Sequence, residues 1–582
     1  MKKRFGIIIA LVSLLLSGLT GCANGTAQNA NTSSGQTSSG QASSAATAGS
    51  NVQGSGDIVV LFSSDVHCGV DQNFGYVGLK AAVDSMKKAG NSVLLVDNGD
   101  SIQGEPIGTM TKGESIIELM NALDYDVAIP GNHEFDYGVD HFLELTERAN
   151  FPYICCNFNK EGKLIFDPYI ICEAGGVKLG FVGVTTPKTL ATSTPKYFQD
   201  ENGNFIYGFM QDDSGEALYN AVQKAVDDVR KAGAQYVIVL GHMGNDATYA
   251  PWTYADVISH TDGIDAFLDG HSHDTEKDVV KNRSGKDVVR QACGTKMEGI
   301  GWLKIKKEDG SLDTGLYTWH NDISAPELLG IQNELTTVLA NEEGKLDKEL
   351  KEVVAHSAVD LVLNDPEMKT GDGHPVRIIR LKETNLGDLC ADAYKDQAGS
   401  DIAIVNGGGI RAELKKGDIT KSDILSLHPF GNMLSVIEVT GKQLLDALEW
   451  GSRSLPEESG AFLQVSGITY EIHTYVNSSC TSDENGMFTG VTGEYRVKNV
   501  MVGKEPLDPD KVYTLASHNY MLRDNGDGFT MFKGSKVLQD SFKIDNQVLI
   551  DYICDTLSGT ISEGYSDPYG QGRIVVTGSP KV

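Results

Sequence analysis

Five short stretches concentrate histidine, aspartate and asparagine beside glycine: Asp65-Val66-His67, Gly99-Asp100, Gly131-Asn132-His133-Glu134-Phe135-Asp136-Tyr137-Gly138, Gly241-His242 and Gly270-His271-Ser272-His273. Imidazole nitrogens, carboxylate oxygens and an amide oxygen form the mixed ligand set that suits first-row divalent cations. Taken alone, an Asp-x-His or a Gly-His pair is ordinarily a turn or a hydrogen-bonded surface pair. Recurring in five places, each with a glycine that permits close backbone approach, they read as one metal centre assembled from distant parts of the chain.

Such residues work only if the fold converges them. An apolar run precedes every cluster, and Ile58–Phe62, Val93–Val96, Val127–Ile129, Tyr236–Leu240 and Ile264–Leu268 are predicted strands, with Leu179–Val184 a sixth. Helices are expected over Gly78–Lys88, where Leu79, Ala82, Val83 and Met86 share a face, and through Leu218, Val222, Ala225 and Val229. Strands alternating with helices predict βα units and a largely parallel sheet. In an open α/β sheet the ligand crevice lies beyond the carboxyl ends of the strands, which is where the five clusters fall.

The order of these motifs resembles that of the calcineurin-like binuclear metallophosphoesterases. With Gly99-Asp100-Ser101-Ile102-Gln103-Gly104, Gly131–Asp136 and the later Asn406-Gly407-Gly408-Gly409-Ile410-Arg411, it further resembles the 5′-nucleotidase family, from about Asp57 to Gly578. That family includes UDP-sugar hydrolases and 2′,3′-cyclic nucleotide phosphodiesterases. The resemblance implies an α/β fold: a four-layer metallophosphoesterase β-sandwich flanked by helices, a connecting helix, and a C-terminal α/β domain. It also implies two divalent metal ions. Asp65, His67, Asp100 and His273 match the ligands of one, Asp100, Asn132, His242 and His271 those of the other, with Asp100 bridging. Some relatives carry glutamine where His273 stands, so metal preference is expected to differ. Mn, Zn, Co and Fe all suit these ligands. With a bridging hydroxide and only two carboxylates, the cluster keeps about one positive charge, which draws phosphate in for in-line attack. His133 and Asp136 match the catalytic dyad; Glu134 has no chemical role in the motif.

The leaving group must be read elsewhere, and the C-terminal region is where the resemblance puts the reader. Asn406, Gly408 and Arg411 match its substrate loop, Arg380 a phosphate-binding arginine, and Asp527 a ribose-hydroxyl ligand, whereas Arg377 is expected to be a solvated surface charge. Phe430 matches one wall of a base-stacking clamp. For the other wall Tyr520 is favoured over Met521, which stands at the register where many relatives have an aromatic residue. Asn525 replaces a frequent glycine. The resemblance also implies rotation of this domain, with a hinge near Glu352.

At 582 residues the chain exceeds one hydrophobic core, so two folded domains are expected. A net charge of −30 argues against binding nucleic acid polymers or anionic lipid. Lys2, Lys3 and Arg4, the apolar run Phe5–Leu16, and Leu19-Thr20-Gly21-Cys22 read as an export signal ending in a bacterial lipobox, which predicts a lipid on Cys22 and attachment to the outer face of the cell membrane. The divisions expected are residues 1–22 signal, 23–55 a Gly/Ser/Thr-rich tether, 56–325 catalytic domain, 326–351 connecting helix and 352–578 substrate-binding domain. The other eight cysteines have no framework spacing and are expected to be buried thiols. Two further readings are a thiosulfate-ester hydrolase of related architecture and a non-catalytic nucleotide-binding lipoprotein; intact metal and clamp motifs disfavour both.

Overall fold

The computed structural model describes residues 48–318, 332–369 and 375–578, all within one compact unit, Ala46–Val582. Residues 1–47, and with them the signal, Cys22 and most of the tether, lie outside the described residues. Among the described residues no helix is long and apolar enough to cross a membrane.

Two large sheets form the body of the catalytic domain, beside a small three-stranded one. The five-stranded one runs in the order Leu312–Thr318, Gly299–Ile305, Ile58–Ser63, Ser92–Asp97, Val127–Ala128. The seven-stranded one runs Ala48–Val52, Tyr169–Ala174, Val177–Thr185, Tyr236–His242, Ala266–Leu268, Asp287–Gln291, Lys277–Lys281. Successive side chains of a strand point to opposite faces, and here both faces are covered. Val60, Phe62, Leu94 and Val96 face the other sheet's Leu179, Phe181, Ile238 and Leu240 in the sandwich core. The alternate residues Val59, Leu61, Val93 and Leu95 pack outward on Leu79 and Val83 of the helix Gly75–Lys88. On the other side, Val182, Val184, Val237 and Val239 pack on Leu218, Val222 and Val229 of Glu216–Lys231. Helix, sheet, sheet, helix gives the four expected layers.

The ladders joining Ile58–Ser63, Ser92–Asp97 and Val127–Ala128 are parallel, as are those joining Val177–Thr185, Tyr236–His242 and Ala266–Leu268. The sheets are nevertheless more mixed than the sequence pattern predicts. Antiparallel hairpins enter both of them, one turning on Gly175 and Gly176 between Tyr169–Ala174 and Val177–Thr185. A two-glycine turn is a local hairpin signal that the βα alternation masked.

Two boundaries shift as well. Residues 48–52, assigned to the tether, form an edge strand parallel to Tyr169–Ala174. Backbone pairing needs no apolar side chain, and Gly49 lies so close to Cys172 that an added Cβ would come 2.6 Å from its sulfur. The connecting segment is two helices, Glu334–Gly344 and Asp347–Leu350, rather than one, and 326–331 lie outside the described residues. Asn333 caps the first, accepting from Leu335 N and Thr336 N at 3.1 and 3.3 Å. Its Leu335 and Leu339 belong to the catalytic core, so the segment is packed rather than a free spacer.

The C-terminal domain centres on a five-stranded sheet, Leu463–Ser466, Ile402–Asn406, Val512–His518, Met433–Thr440, Val537–Ile544. The helix Asn385–Ala398 covers one face and Gly441–Ser452 the other. Asn406 ends the second strand of this order, so the Gly407–Gly409 turn opens at a strand's carboxyl end here too.

Candidate metal centre and substrate cavity

The seven candidate ligands converge as the strand ends require. Asp65, His67, Asp100, Asn132 and His242 are at most 2% exposed. Asp65, His67 and His273 offer ligand atoms close enough to share one cation, and Asp100, His242 and His271 form a second such group. Asp100 Oδ2 stands 3.1 Å from His242 Nε2 and 3.9 Å from His67 Nε2, between the two groups.

Tautomers are set from outside. His67 Nδ1 lies 3.0 Å from the Gln103 carbonyl and His242 Nδ1 2.8 Å from that of Asn98, so the Nδ1 atoms donate and each Nε2 turns a lone pair inward. His67 Nε2 then faces His273 Nε2 at 3.0 Å, two ring nitrogens turned toward one point. Asn132 Oδ1 is buried without a hydrogen-bond partner among the described residues, and His242 Nε2 faces the Asp100 carboxylate at 3.1 Å. An unpartnered amide oxygen set among imidazole nitrogens and carboxylates fits divalent cations. Burial lowers His242 basicity, yet the Asp100 charge outweighs it and lifts the imidazole to about 10, so a cation taking Nε2 has to displace a proton from it. Burial pushes His271 down to about 3. Five ligands, Asp65, His67, Asp100, His271 and His273, have φ between 45° and 84°. Each such residue costs about 1–3 kcal/mol, strain that binding sites store.

Beside the centre, His133 Nδ1 lies 2.5 Å from Asp136 Oδ2, and Asp136 Oδ1 accepts from Ser193 Oγ at 3.0 Å. The Asp136 contact holds the ring with Nε2 directed away from it, and against the effect of burial the Asp136 and Asp100 charges raise the imidazole's pKa. His133 N donates to Asp100 Oδ1 at 2.8 Å, tying dyad and ligand together.

Two supports went unread in the sequence. Glu134, given no chemical role, has a structural one: its buried carboxylate accepts from Asp100 N, Ser101 N and Gly131 N at 2.7, 2.8 and 2.6 Å, clamping two ligand loops. Arg290, fully buried, donates to Asp269 Oδ2 at 2.9 Å and Asp274 Oδ1 at 2.6 Å, gripping both ends of the loop that carries His271 and His273. The Asp269 and Asp274 flanks of Gly-His-Ser-His were a local signal for a buried cation; Arg290 itself was not.

A cavity of about 1060 Å³ opens onto this centre, lined from both domains. Arg380, Asn406, Gly408, Arg411, Phe430, Tyr520 and Asp527 all reach it. Arg411 Nη2 comes within 3.5 Å of His67 Nε2, and its guanidinium lies 5.7 Å from the Phe430 ring, itself 5.7 Å from the His133 ring. Asn406 Nδ2 donates to Asp527 Oδ2 at 2.6 Å while its Oδ1 meets His518 Nε2 at 3.0 Å. Tyr520 accepts from Asp527 N at 3.0 Å and donates to the Ala191 carbonyl at 3.2 Å. Its ring lies flat on Gly526, where a Cβ would come 2.3 Å from the ring carbons. Met521 is fully buried in the core of the domain, so the cavity takes Tyr520 and not its neighbour. Arg377 departs from expectation: it is half-buried, lines the cavity and pairs with Glu458 at 2.7 Å.

The eight cysteines among the described residues are free, six of them buried. Comparison with known proteins agrees with the geometry. Residues 58–275 match the calcineurin-like phosphoesterase family and 353–534 the 5′-nucleotidase C-terminal domain. A 5′-nucleotidase of Vibrio parahaemolyticus is 26% identical, the match covering 95% of each chain. A trifunctional nucleotide phosphoesterase of Bacillus subtilis is 28% identical over 89% of this chain, which spans only 35% of that protein's length. The crystal structure of a 5′-nucleotidase precursor from Thermus thermophilus superposes with a TM-score of 0.73 at 26% identity, over 90% of this chain and 100% of the other.

Proposed function

The chain belongs to the 5′-nucleotidase family and is a metal-dependent phosphoester hydrolase, and from that premise we propose that it releases phosphate from nucleoside 5′-monophosphates at this centre. The carrying observation is the buried Asn132 Oδ1, without a partner among the described residues, beside the His242–Asp100 contact and the facing nitrogens of His67 and His273. Two divalent ions held by Asp65, His67, Asp100, Asn132, His242, His271 and His273 would acidify a water and neutralise phosphoryl charge.

The chain's own residues do the rest. Arg411 and Arg380, half-buried and free of carboxylate partners among the described residues, bind and orient the phosphate. His133, positioned by Asp136, donates a hydrogen bond to the phosphoryl group as charge grows on it. Phe430 and Tyr520 flank the base, and Asp527, oriented by Asn406, takes the ribose hydroxyls. The cavity lies at the upper end of the roughly 300–1,000 Å³ usual for small-ligand pockets, which supports 2′,3′-cyclic or sugar nucleotides as further substrates.

Phosphate release from AMP by metal-stripped protein, measured before and after adding Mn, Zn, Co or Fe, tests the reading. Activity should return with at least one ion. Full activity in the stripped protein would refute it. We also propose export and lipid attachment at Cys22, resting on the basic, apolar and Leu-Thr-Gly-Cys segments. Cys22→Ser should leave the membrane fraction and lose palmitate labelling; unchanged fractionation and labelling would end that proposal.

A further inference from the structure

The same cavity holds a second group of cations that phosphate-ester cleavage does not use. Lys188, from the loop after Val177–Thr185, places its ammonium 5.3 Å from the centres of both the Tyr249 and Trp252 rings. Arg453, just past the helix Gly441–Ser452, stacks its guanidinium 3.7 Å from the Trp450 ring and spends one N–H on the Trp450 carbonyl at 2.8 Å. Both side chains line the cavity and are half-buried, and among the described residues neither has a carboxylate within ion-pairing distance. The ammonium feels Arg453 directly: burial first, then that like charge, brings Lys188 down to about 8. Asp246 is the acidic group that opposes this at longer range.

Two cations in a partly dry cavity repel one another, and although Asp527 and Asp246 offset part of this for Arg453, an anion bound to both would relieve it further. Their donors are free to serve one. Lys188 offers three N–H groups and Arg453 the remainder of its fork, held in orientation by the indole. Neither touches the metal centre. Arg411 stands beside His67, whereas Trp450, under Arg453, donates through its indole N–H to the Asp527 carbonyl at 2.8 Å. An anion bound here is therefore not the group being attacked. Through Trp450 the pair is tied to Asp527, which the reading above gives to the ribose, so an anion held here is one carried on the sugar and not the far end of a 5′-phosphate chain.

We infer that Lys188 and Arg453 form a second anion subsite, which receives the remote phosphate of a nucleoside 3′,5′-bisphosphate while its other phosphate lies at the metal centre. This rests on the nucleotidase reading above, because the first phosphate must be seated there. The subsite sets substrate preference; it takes no part in bond cleavage.

The test compares kcat/KM for AMP, ADP and adenosine 3′,5′-bisphosphate in the metal-loaded wild type, Lys188→Met, Arg453→Met and the double variant. The bisphosphate-to-AMP ratio should fall by about tenfold or more in each single variant, through KM, as expected when a charged hydrogen bond is lost. The ADP-to-AMP ratio should hold. Calorimetric binding of the bisphosphate to the same proteins should weaken in parallel. A bisphosphate-to-AMP ratio that stays within about twofold of wild type, or an equal loss for ADP, would overturn the subsite. A wild type inactive on AMP under every metal would instead overturn the nucleotidase reading, leaving calorimetry to decide the subsite: binding unaffected by both substitutions rejects it.

Discussion

His133 and the seven ligands sit within a few ångströms of one another yet do different work, and substitution separates them. His133 touches Asp100 through its backbone N–H and Asp136 through Nδ1, leaving its other nitrogen for substrate. His133→Ala removes that nitrogen and keeps the backbone hydrogen bond. The expected result is a kcat about 10²–10³ lower with metal content unchanged, as for loss of a preorganised donor to a developing charge. Measured metal content decides the case: if it falls with kcat, His133 is a ligand and not a donor. Asn132 and His242 differ in kind, because Asn132 Oδ1 has no hydrogen-bond partner among the described residues and His242 Nε2 faces Asp100. Their loss should appear first in metal affinity.

At the scale of elements, the centre depends on how loops are pinned to strand ends. Glu134 staples the Gly99–Ser101 loop to the Gly131 loop, and Arg290, in the strand Asp287–Gln291, holds the next strand's loop through Asp269 and Asp274. Arg290→Met would strand the buried Asp269 carboxylate and the half-buried Asp274. A loss of about 3–5 kcal/mol is the usual cost of breaking a buried ion pair, so unfolding should shift to markedly lower denaturant. His271 and His273 should loosen with their loop, weakening metal binding in the protein that still folds. Equal stability and metal affinity in the variant would mean that the loop needs no anchor.

At the scale of the molecule, the cavity exists only where the two domains meet. Thr109 Oγ1 donates to the Pro429 carbonyl at 3.0 Å, Ser426 Oγ to Glu105 Oε2 at 3.1 Å, and Gln211 Nε2 to Asn485 Oδ1 at 3.0 Å. These few polar contacts are the kind that relative domain motion can break. Cysteines at Gln211 and Asn485, oxidised to a crosslink, should stop turnover while leaving adenosine binding intact, and reductant should restore it. Turnover at the wild-type rate in the crosslinked protein would show that substrate and product exchange without rotation about the segment near Glu352.

Much of this was legible in the sequence because metal chemistry is local in its demands. Asp65, His67, Asp100, Asn132, His242, His271 and His273 each follow an apolar run, and the strand periodicity of those runs predicts that their ends converge. The Gly175-Gly176 hairpin left a signal that the βα alternation masked, whereas the strand at 48–52 and the division of the connecting segment were not legible, since backbone pairing leaves little trace in side-chain composition. Tertiary structure alone brought Arg411 within reach of His67, buried Arg290 between two aspartates, put Arg377 beside Glu458, and gathered Lys188 and Arg453 into one cavity. Residue type and order along the chain determine what can bind a cation or a phosphate. Which of those residues share a space is decided by packing between domains, where contacts span hundreds of residues and carry no sequence period.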